Sequence, residues 1–180
     1  MNDKILIRKE IKNLKQRFPE AQKQAEADIV FDKIETLPEF QNSKTILMYW
    51  SLLDELPTHK FVEKWSRSKQ ILLPAIQGDE MMVKRYSSSN KLKQGLLGIS
   101  EPDLDEIFEG KIDLVIVPGI AFDWQKNRLG RGKGFYDRFF EKNDVLKIGV
   151  CFDFQLLETV PNSEHDICLD IIITPSGIFI

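Results

Sequence analysis

"KIDLVIVPG", residues 111–119, is the strongest strand signal in the chain. Its residues 114–117, "LVIV", are aliphatic, mostly β-branched and without a polar interruption, which is typical of a strand that is buried on both faces. Such strands belong to parallel sheets that are covered by helices on both sides. The Pro-Gly pair ends the strand, so the residues that follow it are expected at the carboxyl end of a sheet.

Strands and helices alternate on both sides of this segment. In chain order the predicted elements are a helix over residues 3–18, a second helix from Pro19 to near Pro38, a strand at 44–50, a helix through 59–65, a hairpin of strands at 70–76 and 81–86, a long surface connection at 87–103, the strand at 111–117, a helix from about 134 to 142, and strands at 145–152 and 169–175. This alternation predicts an α/β fold with a mainly parallel, Rossmann-like sheet in three layers, α/β/α. We expect one domain, residues 1–180.

The composition narrows the class of protein. The chain has 180 residues, of which 42% are hydrophobic. Its formal charge of −3 argues against non-specific nucleic-acid binding by the whole surface. No apolar run approaches the roughly 20 residues that span a bilayer, and the N-terminal residues do not form a signal peptide. Cys151 and Cys168 lack CxxC spacing and are expected to be buried free thiols in a reducing cytoplasm.

The most distinctive stretch is "RLGRGKGFYDRFF", residues 128–140, in which Gly130, Gly132 and Gly134 alternate with cations. Glycines allow close backbone approach and positive φ, and successive N–H groups that lead into a helix form an anion site. The spacing matches neither a Walker A loop nor a dinucleotide fingerprint. The three glycines and the four cations of this stretch together indicate a ligand with several phosphates. The alternative is a basic turn that binds no ligand. The cations are Arg128, Arg131, Lys133 and Arg138.

The residues beside the glycines leave alternatives open. Phe135 and Tyr136 either stack on a planar ligand or belong to the core. Asp137 either holds Mg²⁺ near the phosphates or pairs locally with Arg138 or Lys133. On the first helix a basic face, formed by Lys4, Arg8 and Lys12, is solvated unless it docks near the glycine loop.

Five motifs together resemble the 5-formyltetrahydrofolate cyclo-ligases, also called methenyltetrahydrofolate synthetases, in the order of that family and over almost the whole chain. They are "KILIRKEIK" (4–12), "MYWSLLDELPT" (48–58), "GISEPD" (98–103), "VPGIAFDWQKNRLGRGKGFYDRFF" (117–140) and "HDICLD" (165–170). The resemblance implies a NagB/RpiA/CoA transferase-like fold. It also implies ATP- and Mg²⁺-dependent conversion of 5-formyltetrahydrofolate to 5,10-methenyltetrahydrofolate through a phosphorylated formyl group.

The resemblance also implies roles for individual residues. It makes Asp137 and Asp166 the candidate magnesium ligands. Arg131 and Lys133 are the candidate catalytic residues on a separate ground, because both lie in the glycine loop that would hold the phosphates. The ATP site would comprise Lys4, Arg8, Arg128, Leu129, Gly130, Arg131, Gly132, Lys133, Gly134, Phe135 and Tyr136. The folate site would comprise Arg8, Glu55, Arg131, Gly132, Lys133, Gly134 and Phe135. Residues 87–95 match nothing specific in the family.

Three other readings compete with a cyclo-ligase. A non-catalytic folate or nucleotide sensor could use the same pocket, but the chain retains Lys133, Asp137 and Asp166. An RNA-binding protein would need aromatic stacking residues on an exposed sheet or a basic overall face, and neither is apparent in the sequence. A sugar-phosphate isomerase of similar layout fits the glycine segment less well than an ATP enzyme does. We expect a cytoplasmic monomer that binds neither nucleic acid nor membranes.

Overall fold

The structure is a computed structural model that describes residues 3–163 and 166–180. Its α-helices are α1 (Asp3–Arg17), α2 (Glu20–Thr36), α3 (Pro38–Asn42), α4 (His59–Trp65) and α5 (Phe135–Lys142). Its strands are β1 (Thr45–Leu47), β2 (Gln70–Gln77), β3 (Glu80–Arg85), β4 (Leu92–Gln94), β5 (Ser100–Pro102), β6 (Leu114–Val117), β7 (Ala121–Asp123), β8 (Arg128–Leu129), β9 (Leu146–Val150), β10 (Leu156–Leu157), β11 (Ile171–Ile173) and β12 (Ile178–Phe179).

The central sheet has the order β12-β11-β9-β6-β1-β2-β3 in the described part of the chain. The inner strands from β11 to β2 are parallel, and antiparallel β12 and β3 flank them. The predicted strand at 111–117 lies at the centre as β6, between β1 and β9. From β1 the chain turns to β2 on one side and later to β6 on the other, so the strand order reverses between β1 and β6.

Alternate residues of the sheet pack on opposite layers. Ile46 and Ile116 face a core that includes residues of α2, α3 and α4, whereas Leu47 and Val117 face a second core that includes Phe140 of α5. Because strand side chains alternate between faces, each central strand must be apolar at every position when both faces are covered. The three-layer α/β/α prediction is confirmed.

A small sheet of order β10-β7-β8 lies beside the main sheet and was not predicted. Its strands have two or three residues, too short to produce a readable alternation. Ile11 of α1 packs on its residues Ala121 and Leu129. This contact places the N-terminal helix beside the segment that precedes the glycines.

Two expectations need correction. The surface connection at 87–103 was predicted without strands, but β4 and β5 form an antiparallel hairpin within it. Cys151 is buried, as expected, but Cys168 is exposed, and both are free thiols. Among the described residues none of the helices is long and apolar enough to cross a bilayer.

Candidate active site

The main cavity, of about 570 Å³, opens where the strand order of the sheet reverses. Tyr49 and Trp50 line it just after β1, and Pro118 and Gly119 line it just after β6. Ligands of open α/β sheets bind at such switch points, outside the carboxyl ends of the strands. The volume is that of a ligand pocket. All the residues predicted for the ATP, folate and metal sites line this cavity.

The glycine turn, residues 130–134, forms one wall of the cavity. Gly132 and Gly134 have φ values of +95° and +66°, which a residue with a Cβ adopts only with strain. Gly130 does not have a positive φ, but a Cβ there would lie 2.9 Å from Nη1 of Arg128. None of the backbone N–H groups of residues 130–134 donates a hydrogen bond to a described residue. The turn therefore presents free donors at the N-terminus of α5, which favours an anion.

A buried carboxylate that sequence reasoning missed shapes the entry to this turn. Asp123 is fully buried and accepts hydrogen bonds from the backbone N–H groups of Gln125, Asn127 and Val160 and from the Asn127 side chain, at 2.9–3.0 Å. These bonds fold residues 123–127 so that β8 returns beside β7 and delivers Arg128 to the cavity. The signal in the sequence was an aspartate at the end of an apolar run, just before a polar turn.

Arg128 and Asp137 form an ion pair across the turn. Nη2 of Arg128 lies 3.0 Å from both carboxylate oxygens of Asp137, and the arginine side chain is 5% exposed. The local partner of Asp137 is thus Arg128 rather than Arg138 or Lys133. Arg138 instead donates to the carbonyl oxygens of Lys133 and Asp79, which ties the glycine turn to the β2–β3 hairpin. Arg138 is absent from the residues that line the cavity.

Arg131 reaches across the cavity to the loop that follows β1. Its Nη2 lies 2.6 Å from Oδ1 of Asp54 and 3.0 Å from Oε1 of Glu55. Burial alone would raise the pKa of the Asp54 carboxyl, but the hydrogen bond and charge of Arg131 outweigh burial and lower it. Oε2 of Glu55 accepts a hydrogen bond from Leu52 N–H. Arg131, a candidate catalytic residue, and Glu55, a residue of the candidate folate site, are therefore joined in this structure.

The basic face of α1 docks beside the glycine turn, which the sequence left open. Nε of Arg8 donates to the carbonyl oxygen of Gly130 at 3.0 Å, and Lys4 pairs with Asp166. Burial would raise the pKa of the Asp166 carboxyl, but hydrogen bonds from Lys4 and Ser163 outweigh it and lower the pKa. His165, the neighbour of Asp166 in the fifth motif, lies outside the described residues.

Lys133 and the aromatic residues complete the cavity. The Lys133 side chain is exposed and makes no hydrogen bond or ion pair with a described residue. Phe135 and Tyr136 pack partly on the core, as one interpretation expects, and they also line the cavity, so stacking on a ligand stays a prediction. The Tyr136 hydroxyl is buried without a partner among the described residues, and burial raises its pKa. No residue of 87–95 lines the cavity in the described chain, whereas Ile99 does.

Comparison with known proteins shows the family to which the chain belongs. The 5-formyltetrahydrofolate cyclo-ligase family matches residues 1–175. The chain belongs to this family. Membership confirms the prediction of an enzyme, a ligase of folate one-carbon metabolism, over an RNA-binding protein or a sugar-phosphate isomerase.

Individual relatives of the chain carry the name of the same family. A probable 5-formyltetrahydrofolate cyclo-ligase of Caenorhabditis elegans is 30% identical in an alignment of 185 positions, which spans 93% of this chain and 90% of the relative. The 5-formyltetrahydrofolate cyclo-ligase of Escherichia coli K12 is 32% identical over 154 residues, 80% of this chain and 85% of that protein. The NMR structure of the Aquifex aeolicus 5,10-methenyltetrahydrofolate synthetase is 31% identical, with a TM-score of 0.88 over 97% of this chain and 91% of that one.

The cyclo-ligase cavity holds two carboxylates that suit Mg²⁺. Asp137 and Asp166 both line it, and Oδ1 of Asp137 lies 3.4 Å from the backbone nitrogen of Ile167, the residue after Asp166. Mg²⁺ prefers oxygen ligands and usually takes one or two carboxylates together with phosphate oxygens and water. The described residues contain no cluster of three or more potential ligands, so the donor set fits a cation that arrives with phosphates.

Proposed function

We propose that this cyclo-ligase converts 5-formyltetrahydrofolate into 5,10-methenyltetrahydrofolate, uses ATP and Mg²⁺, and releases ADP and phosphate. The observation that carries the proposal is that the glycine turn and the loop with Glu55 open onto one cavity. One wall offers donors for phosphates, and the other offers a carboxylate among apolar side chains. Two different substrates can thus be held against each other.

The phosphate end of the cavity is the glycine turn. Its backbone N–H groups have no acceptor among the described residues, and Lys133 stands beside them without an ion-pair partner there. Lys4 and Arg8 reach the same cavity from α1. Hydrogen bonds from oriented N–H groups and from charged side chains bind phosphate oxygens well. We infer that ATP places its phosphates here.

The folate end is the loop after β1 with the facing hairpin. Trp50, Ile76, Met81 and Phe135 supply an apolar and aromatic wall, which suits a flat conjugated ring. The Glu55 side chain is 11% exposed, and its carboxylate can accept hydrogen bonds from the N–H groups of a pterin. We infer that the pterin lies between this wall and Glu55.

The chemistry explains why both substrates must meet. A formyl oxygen is a poor leaving group, so in the proposed reaction it attacks the γ-phosphorus of ATP, and the bond from that phosphorus to the β–γ bridging oxygen breaks. The N10 amine then attacks the activated formyl carbon. Phosphate leaves with the former formyl oxygen, N10 loses its proton, and the methenyl bridge remains. Phosphoryl transfer of this kind depends on positioning and charge stabilisation.

Arg131 and Lys133 are the proposed catalytic residues. Both belong to the turn that would hold the phosphates, and Arg131 already contacts Glu55 at 3.0 Å. Their charges would stabilise the phosphoryl group as it passes to the formyl oxygen. Arg128, held by Asp137 and 8% exposed, keeps the turn in place.

Mg²⁺ would be held by Asp137 and Asp166 together with phosphate oxygens. When bound, the cation would neutralise negative charge on the phosphates. In this structure the two carboxylates pair with Arg128 and Lys4.

The test is to mix the protein with 5-formyltetrahydrofolate, ATP and Mg²⁺ and to follow the near-UV absorbance of the methenyl product. Lys133→Ala should lower kcat about 10²–10³-fold, the usual effect of losing one donor to a transition state. Lys142→Ala is the matched control, because Lys142 lies on α5 and pairs with Glu80 outside the cavity. A flat trace with tight binding of folate or nucleotide would instead establish a sensor.

The cellular setting belongs to the same proposal. We place the enzyme in the cytoplasm, which its free thiols support, and we expect it to be a monomer. Sedimentation of the purified chain at micromolar concentration tests the monomer.

A further inference from the structure

A second cavity, of about 470 Å³, lies behind the glycine turn and is strongly basic. Five of its lining residues are cations and one is an acid, and they come from α1, α2, the loop after β1 and the turn: Arg8, Lys12, Lys15, Lys23, Arg131 and Asp54. Arg8 and Arg131 also line the main cavity, so the two cavities share a wall. Apart from these two arginines, no residue of the second cavity has a role in the proposed reaction.

Lys15 is the residue that makes this cavity unusual. It is 3% exposed, and its ammonium has no hydrogen-bond partner among the described residues. Burial of an unpaired charge is destabilising, and a fold normally avoids it. Lys23, also buried, shows the ordinary solution, because it donates to Glu20 and to the Leu53 carbonyl oxygen at 3.0 Å. An anionic ligand would supply the partner that Lys15 lacks.

The form of the cavity favours carboxylates over a lone phosphate. Its cations are spread over two helices and the turn, so they match several separated charges rather than one compact ion. The free backbone N–H groups that suit a phosphate belong to the glycine turn of the main cavity. A volume of about 470 Å³ also lies in the range of organic ligands.

We propose that the second cavity binds an organic polycarboxylate, with Lys15 as its buried anchor, and that this site is coupled to the main cavity through Arg131. Asp54, which lines the second cavity, and Glu55, which lines the main one, both hold the Arg131 guanidinium. An anion that draws Arg131 away from Asp54 changes its contact with Glu55. Binding in either cavity therefore alters the affinity of the other by the same factor.

Two kinds of molecule could bring several carboxylates to the second cavity. One is the glutamate end of the folate in the main cavity, lengthened by further glutamates, and this source rests on the proposed function. The other is a free polycarboxylate. Direct binding of a γ-linked triglutamate peptide to the full chain needs neither folate nor turnover, so its result does not depend on the proposed reaction.

The main test is calorimetric titration of triglutamate into the wild-type chain, Lys15→Met and Lys9→Met. Lys9 is exposed on the same helix and lines neither cavity, which makes it the matched control. We expect Lys15→Met to weaken binding by about tenfold or more, the loss typical of one charged hydrogen bond. Without ligand, Lys15→Met should raise Tm by about 2–4 °C because an unpaired buried charge is removed. Wild-type affinity in Lys15→Met, or a lowered Tm, would contradict the proposal.

Two further arms separate the sources and the sites. If the source is the folate tail, KM for a triglutamyl substrate is lower than for the monoglutamyl substrate in the wild type, and Lys15→Met removes the difference. If free triglutamate binds and the two KM values are equal, the source is a free polycarboxylate. Simple competition between ATP and triglutamate would show that the cavity is part of the nucleotide site and would overturn a separate site.

Discussion

Arg8 on α1 and Gly130 in the glycine turn are 122 residues apart, and the Nε of Arg8 donates to the Gly130 carbonyl oxygen at 3.0 Å. This bond places a cation of the N-terminal helix beside the N–H groups that we assign to phosphate binding. It also explains why the wall between the two cavities includes α1. The N-terminal motif and the glycine motif thus form one site.

The first prediction concerns this bond. Arg8→Met keeps an apolar stem on the helix but removes the guanidinium, so KM for ATP should rise about ten- to hundredfold, as for loss of a charged hydrogen bond. Steady-state kinetics with varied ATP measures it. Lys9→Met on the same helix should leave KM for ATP as in the wild type, and an equal change in both variants would argue against a specific role of Arg8.

The second prediction concerns the left-handed backbone of the turn. Gly132 has φ of +95°, and a Cβ there would lie 3.4 Å from Nη2 of Arg8. Gly132→Ala should lower the free energy of unfolding by about 1–2 kcal/mol and also raise KM for ATP.

Gly78→Ala controls for backbone strain alone. Gly78 has φ of +62° in the β2–β3 turn, and a Cβ there would meet nothing within 4 Å. In denaturant unfolding, Gly78→Ala should lose about as much unfolding free energy as Gly132→Ala, but its KM for ATP should equal that of the wild type. A wild-type KM for ATP in Gly132→Ala would show that the glycine turn does not belong to the ATP site.

The third prediction concerns Asp123, whose buried carboxylate accepts four hydrogen bonds. Asp123→Asn replaces one acceptor by a donor that faces other donors, so the unfolding free energy should fall by about 2–4 kcal/mol. Chemical denaturation measures it, with exposed Asp144→Asn as the control. A change below about 0.5 kcal/mol would show that the turn does not depend on this carboxylate.

The fourth prediction is a pH dependence that isolates Lys15. Burial lowers the pKa of Lys15 although Asp54 and Glu55 oppose it. Between that lowered pKa and the unfolded value of about 10.4, the unfolded chain binds more protons than the folded one, so stability rises with pH. The stability advantage of Lys15→Met over the wild type should therefore shrink as pH approaches about 10.4. Unfolding curves at several pH values measure this, and a constant difference would contradict an unpaired buried ammonium.

Much of the fold was readable because its signals are local. The uninterrupted apolar run at β6 and the hairpin of β2 and β3 were predicted where the structure has them. The small sheet was missed because pairs such as Ala121 with Leu129 are too short for a period to appear. Cys168 was expected to be buried, but it lies on the surface within hydrogen-bond distance of Asn127.

The residues that line the main cavity could be predicted from the sequence, but their pairings could not. The glycine turn, the aromatic residues and both aspartates come from a linear motif or from the family resemblance. That Asp137 pairs with Arg128, or that Arg131 reaches Asp54 and Glu55, depends on contacts between distant segments. Lys15 gave no sequence signal, because a lysine on an amphipathic helix is ordinarily solvated.

The most direct test of the central claim follows the formyl oxygen itself. 5-Formyltetrahydrofolate labelled with ¹⁸O in the formyl group is converted with ATP and Mg²⁺, and the released phosphate is examined by ³¹P NMR for the isotope shift. Transfer of the γ-phosphoryl group to the formyl oxygen predicts that each phosphate carries one ¹⁸O atom, at a rate that Lys133→Ala lowers. Unlabelled phosphate, with the ¹⁸O released into water, would contradict the phosphorylated formyl group and the role assigned to the glycine turn.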